Sequence, residues 1–218
     1  MDWHRHLPPQ LVDFYELHNY RHAAEVLATA YPAELAEIAA ALSEFRLSTQ
    51  DILDPGGNES GITKRFRDLL RPNGWLETKV TADLLVRRAV GRRAQEEDDA
   101  AAPERVRKGY IEGHKIDFVK GSVALDFEWN SKDQTFDRDL YALRTFYECG
   151  VIAAGVLITR SESLNAVFKK LGVQQKYGAS TTWMGKLLPR LDAGRNGGCP
   201  VLVLGITPRL ITDWSEPA

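Results

Sequence analysis

Cysteine is scarce in this 218-residue chain: Cys149 and Cys199 are the only two. They cannot build a disulfide framework, and no CxxC spacing points to zinc. A reducing, cytoplasmic compartment is the natural expectation. Long hydrophobic runs are missing too, none approaching the ~18 residues of a membrane-spanning helix. The opening MDWHRHLPPQ has no apolar stretch of the kind a secretory signal needs. No P-loop, GxGxxG or GxSxG occurs, so the common signatures for nucleotide binding and serine hydrolysis are absent. No repeat recurs at a fixed period. A strong net charge is also lacking, with 28 Lys and Arg against 30 Asp and Glu.

That balance hides an asymmetry. Residues 1–59 carry 3 basic and 10 acidic side chains, a net of −7. Residues 60–115 carry 13 against 9 and residues 116–218 carry 12 against 11, so the remainder is mildly basic. Distribution matters more than the total for a polyanionic partner, and this one is compatible with DNA.

Periodicity suggests a mixed α/β chain in one domain, with N-terminal helices over 1–50 and a core over 51–210. Residues 10–46 read as helices, with Leu11, Phe14, Tyr15 and His18 at helical spacing and Pro32 opening a second helix. A DPGGNES loop follows at 54–60, then a helix carrying Ile62, Phe66, Leu69 and Leu70 inside and Lys64, Arg65, Arg67 and Arg71 outside. Strand pattern begins near Lys79. The aperiodic, acidic segment 91–104 reads as an exposed loop. Short strands RVRKGYIEG, HKIDFVKG and SVALDFEWN come next as a meander, followed by a helix at 136–149. VIAAGVLITR and PVLVLGIT are continuous apolar runs of strand length, as expected of strands buried on both faces. His18 and His22 would lie one helical turn apart, but no third ligand is near, and a packing or surface role is the simpler reading.

The chemistry concentrates in IDFVKGSVALDFEWN. Asp126 and Glu128 are two residues apart on one predicted strand and therefore share a face. A turn at Lys120-Gly121 would bring Asp117 near that face. Carboxylates so placed repel one another and resist desolvation unless a cation neutralises them. All-oxygen donors suit Mg²⁺, which can polarise a phosphodiester and activate water. The bland alternative is the wet face of a half-exposed hairpin.

The spacing D-x(8)-D-x-E resembles the PD-(D/E)xK nuclease signature with its final Lys replaced by Glu, as in the BamHI/BglII/BstYI group of type II restriction endonucleases. Other segments are similar in order: YRHAAEVL at 20–27, DPGG at 54–57, FRDLL at 66–70, IDFVKG at 116–121, VIAAGVLIT at 151–159 and GASTT at 178–182. The resemblance spans roughly residues 15–207. It implies a restriction-endonuclease-like mixed β-sheet flanked by helices, acting as a homodimer on double-stranded DNA. The implied reaction is Mg²⁺-dependent hydrolysis at a short palindromic site that leaves 5′ overhangs. Asp117 then matches the first metal-binding acid, and Asp126 the second. The second is Glu in those relatives, so this chain is one methylene shorter there. Glu128 takes the Lys position as acceptor or orienter for the attacking water. The backbone carbonyl of Phe127 is a further candidate metal ligand.

Glu59 could approach the site as a fourth acid, or Asn58, Glu59 or Ser60 could cap the helix that follows. Asn130, Ser131 and Lys132 could read bases, or form an ordinary strand-end turn. Ser180, Thr181 and Thr182 correspond to a groove-facing loop, though Ser180 or Thr181 would also serve as a helix N-cap. Lys64, Arg87 and Arg88 could neutralise phosphates, with a solvated charged face as the alternative. Two other functions fit the same residues: a structure-selective repair or recombination nuclease, and a non-catalytic DNA-binding module with a decayed site.

Overall fold

A computed structural model describes residues 2–55, 60–87 and 104–215. The elements are α1 (Pro9–Phe14), β1 (Tyr15–Tyr20), α2 (Ala23–Ala30), α3 (Pro32–Glu44), α4 (Thr49–Leu53), α5 (Gly61–Leu70), β2 (Leu76–Arg87), β3 (Glu104–Lys120), β4 (Val123–Phe127), α6 (Thr135–Glu148), β5 (Ala154–Arg160), α7 (Leu164–Lys170), α8 (Met184–Asp192) and β6 (Val201–Ile206). The sheet runs β1-β6-β5-β4-β3-β2. Its centre, β4-β5-β6, is parallel, while β3 joins β4 and β1 joins β6 antiparallel.

Alternation along the strands sorts the core. Val123, Leu125 and Phe127, with Val156, Ile158, Leu202 and Leu204, belong to one cluster with the apolar residues of α1 to α5 and α7. Phe66 of α5 stacks on Phe127 at 4.5 Å and meets Phe45 edge-on at 5.6 Å. Each such buried side chain contributes roughly 1.5–3 kcal/mol of hydrophobic stabilisation. The intervening residues face the other side, where Leu143 of α6 lies so close to Gly155 that an added Cβ would stand 2.7 Å from it. Met184 of α8 approaches Gly205 in the same way. Asp126 is on this second face, toward α6.

The chain divides into two compact units, 79–115 and the remainder. In the first, β2 and the leading part of β3 pair, and the Asp83 carboxylate accepts the Gly109 N–H at 2.8 Å.

Two sequence expectations are corrected. Residues 15–20 form a strand, not part of a helix, because Tyr15–Tyr20 pairs along its whole length with β6. Tertiary pairing overrides the helical spacing there, and the Tyr15 hydroxyl donates to the Leu42 carbonyl at 2.8 Å. Arg21 and His22, at φ 54° and 61°, turn the chain into α2. His18 and His22 therefore share no helix, and each faces its own acid, Glu16 at 2.8 Å and Glu25 at 3.4 Å. Second, 104–120 is one continuous strand, not two. The expected turn after Lys120 is present, with Gly121 at φ +52°. The segment 91–104 lies outside the described residues up to 103.

Candidate active site

The β3–β4 hairpin sets Phe118 opposite Leu125, so the next residues outward are Asp117 and Asp126. The Asp117 N–H donates to Oδ1 of Asp126 at 2.8 Å. Glu128, just past β4, is held by its own N–H, which donates to the Ile158 carbonyl at 2.8 Å. The structure thus brings Asp117, Asp126 and Glu128 together. Asp126 is 3% exposed and Glu128 7%, whereas Asp117 lies at the surface.

A fourth acid joins them that sequence reasoning missed. Asp139, 1% exposed, comes from the inner face of α6. Its signal was legible: Phe136, Asp139, Leu140 and Leu143 follow the i, i+3, i+4, i+7 stripe of a buried helix face. Arg138 forks onto Asp139 Oδ1 through Nε at 3.0 Å and Nη2 at 2.9 Å, and stands 3.7 Å from Glu128.

Burial dominates the electrostatics. It pushes the Asp126 carboxyl well above the ordinary range, and the charges of Asp139 and Asp117 add to the effect. Glu128 is raised to about 8 by burial and then by Asp139. Burial raises Asp139 to about 6, against the pull of Arg138. Asp126 Oδ2 and Asp139 Oδ2 are buried without a hydrogen-bond partner. A buried carboxylate oxygen with no donor demands a proton or a cation.

Among the described residues, no three His, Cys, Asp or Glu side chains stand together at metal-binding spacing. Two acids nevertheless adjoin, Asp117 and Asp126, and the Oδ2 of Asp126 is buried without a partner. An all-oxygen set of this kind fits a hard divalent cation such as Mg²⁺.

A cleft of about 230 Å³ opens at this place, lined among others by Asp117, Glu128, Asn130, Ser131, Lys176 and the start of α5. Lys176, also missed, donates from Nζ to the carbonyls of Ile52, at 2.8 Å, and Asp54. Ser60 caps α5, its hydroxyl accepting the Thr63 N–H at 3.1 Å. Glu59 lies outside the described residues, as does Arg88. Lys64 is exposed on α5, and Arg87 is exposed on β2 within the 79–115 unit.

The two loops singled out for base reading are joined. Lys132 and Thr181 form an antiparallel bridge, the Thr182 N–H donates to the Ser131 carbonyl at 2.9 Å, and the Asp133 N–H to the Ser180 carbonyl at 3.0 Å. Ser131, Lys132 and Ser180 are exposed along this seam, and Thr181 is half-buried. Thr182 is fully buried, its hydroxyl accepting the Ser131 N–H at 3.1 Å, so it braces the loop from beneath. The Asn130 amide donates to the Lys176 carbonyl at 3.2 Å. Neither Ser180 nor Thr181 caps α8, whose N-cap is Trp183 without a side-chain bond.

No helix among the described residues is long and apolar enough to cross a membrane. No curated protein matches the chain. The family model described as restriction endonuclease BglII/BglIII matches residues 15–206, a span that takes in every strand from β1 to β6, the four acids and both joined loops. The chain belongs to the BglII/BglIII restriction endonuclease family.

Proposed function

We propose that this protein is a type II site-specific deoxyribonuclease that hydrolyses double-stranded DNA at a short palindromic site, with Mg²⁺ as cofactor. The observation that carries this reading is the placement of Asp117 and Glu128, with Asp126 bonded beside Asp117, at a cleft that Asn130 and Ser131 also line, next to the bridge between Lys132 and Thr181. Chemistry and base reading would then lie side by side. A repair-type nuclease has less need of the exposed polar seam that Ser131, Lys132 and Ser180 make.

Asp117 and Asp126 Oδ2, with the Phe127 carbonyl, would hold the cation. Bound there, Mg²⁺ supplies charge neutralisation at the phosphate and a lowered pKa for water. Glu128 takes the proton of the attacking water. The water oxygen bonds to phosphorus as the bond to the 3′ oxygen breaks, and the departing oxygen takes a proton from solvent water, leaving a 5′-phosphate and a 3′-hydroxyl. Burial opposes the ionisation of Glu128, so the positive charge of a cation bound beside it would be what keeps it ionised and able to accept that proton. Asn130, Ser131, Lys132, Ser180 and Thr181 would meet base edges and backbone. Lys64, Arg87 and Arg88 would contact phosphates. Glu59, directly before Ser60 in the sequence, would add a further carboxylate.

One acidic cluster cuts one strand. Cutting both strands of a palindrome calls for two copies related by the two-fold axis of the site, hence a homodimer, with 5′ overhangs from staggered cuts. The test is plasmid digestion by purified protein with Mg²⁺. Discrete fragments whose sequenced ends share one site support the reading. Nicking or smearing points to the structure-selective nuclease, and binding without cleavage to the non-catalytic module.

A further inference from the structure

Arg160 ends β5 and is 1% exposed, one of the largest fully buried side chains of the protein. No carboxylate pairs with it among the described residues. Its guanidinium lies over three aromatic rings instead, Tyr177 at 5.0 Å, Phe168 at 5.4 Å and Trp129 at 5.9 Å. These rings form one block: Phe168 stacks on Tyr177 at 4.2 Å, and Trp129 meets Tyr177 edge-on at 5.9 Å. The polar edge of the guanidinium points into the 178–182 loop. Nε donates to the Thr182 carbonyl at 3.0 Å and Nη2 to the Thr181 hydroxyl at 2.5 Å.

We propose that Arg160 is a specificity-determining positioning residue, whose fork fixes Thr181 and Thr182 so that loops 130–133 and 178–182 present their exposed groups in one fixed register to DNA. The inference rests on the nuclease reading above and extends it to a side chain that itself lies beneath the surface. Three observations converge on it. Thr182 is gripped from both sides, its carbonyl by Arg160 and its N–H and hydroxyl by Ser131. Trp129, one of the rings over which the cation lies, directly follows Glu128, so the same block adjoins the acidic cluster. Finally, burying a cation without a counter-charge is unfavourable, and a methionine would fill such a space at lower desolvation cost. Burial lowers the Arg160 pKa only to about 10, so the group stays charged at neutral pH. The retained charge places positive potential directly under a loop that faces a polyanion. Planar two-point donation is what Lys cannot reproduce.

The experiment compares the parent with Arg160→Met and Arg160→Lys. Hydrogen exchange is read at the amides of Ser131, Asp133 and Thr182, and cleavage is read on the cognate site and on sites changed at one base pair. Arg160→Met is expected to keep the exchange protection of β4, β5 and β6 while the three loop amides exchange at least ~10-fold faster. Its ratio of kcat/KM between cognate and one-base-changed sites should fall at least ~10-fold, with Arg160→Lys intermediate in both. Unchanged loop exchange overturns the proposal. So does faster exchange with an unchanged ratio, which leaves Arg160 a structural anchor only. Should Arg160→Met fail to fold, Arg160→Lys decides by the same two readings. A parent that cuts no DNA at a defined site marks failure of the nuclease reading itself, and the exchange data then report separately on whether Arg160 holds the loop.

Discussion

The backbone N–H of Asp117 donates a 2.8 Å hydrogen bond to Oδ1 of Asp126, on the neighbouring strand. One oxygen of the shorter acid is thereby engaged by the hairpin, and the other, Oδ2, is buried with no partner. The site is built at the expense of stability: Asp126 is worth less to the fold as an ionised group than as a neutral one. Asp126→Asn keeps an oxygen for the Asp117 N–H and removes an acid whose ionisation is opposed by burial. Without added metal its Tm should fall less than the parent's as pH rises, with a difference of roughly 3–10 °C, about 1–3 kcal/mol, once the parent's Asp126 is forced to ionise. Cleavage should fall about 10²–10³-fold, since several kcal/mol of transition-state stabilisation are lost with the cation. Thermal melts and single-turnover cleavage on the same preparation check both halves.

Stability of the metal-free protein should decline as pH rises. Glu128 is raised from 4.5 to about 8 and Asp139 from 3.8 to about 6, so between roughly pH 4 and pH 8 the folded chain holds more protons than the unfolded one. The slope of stability with pH is negative wherever that holds. The contribution is complete below about pH 4 and is lost as pH passes the folded values. Chemical denaturation in EDTA at pH 5 and pH 8 should differ by a few kcal/mol, in favour of pH 5. Added Mg²⁺ should flatten the difference, because it stabilises the ionised carboxylates.

Asp139 is the strongest charged neighbour acting on Glu128. Asp139→Asn should bring the Glu128 pKa down by about one unit, equivalent to about 1.4 kcal/mol, while Arg138 keeps an oxygen to donate to. A side-chain NMR titration of Glu128 reads the shift directly. The acid limb of the cleavage profile should move to lower pH with it. A purely structural Asp139 would leave both where they are.

How much of this was legible beforehand depends on the range of the interaction. The spacing of Asp117, Asp126 and Glu128, the Gly121 turn and the two apolar strands β5 and β6 are short-range patterns, and the sequence carries them openly. Tyr15–Tyr20 was misread because its strand state comes from pairing with β6, nearly two hundred residues away, against local helical spacing. Asp139 and Arg160 reach their places through α6 and β5, which no local pattern connects to the hairpin. The Lys132–Thr181 bridge joins loops that are separated by about fifty residues, and only the folded sheet brings their ends together.

Thr182→Val tests that bridge without touching the acids. The substitution keeps the shape but removes the hydroxyl that accepts the Ser131 N–H at 3.1 Å. An N–H left without its acceptor costs about 1–3 kcal/mol, so Tm should fall by roughly 2–10 °C. The loss should appear as faster amide exchange at Ser131 before it appears in β4 or β5.

The most direct measurement is digestion of unmethylated plasmid DNA of varied sequence by the parent protein and by Asp117→Asn, each with Mg²⁺ and with EDTA, alongside a binding assay. The expected result is discrete, Mg²⁺-dependent fragments with a shared end sequence from the parent. Asp117→Asn should give none and still bind the duplex. An Asp117→Asn variant that cuts as well as the parent, or a parent that binds DNA and yields no fragments under any condition, would contradict the assignment of Asp117, Asp126 and Glu128 as the catalytic centre.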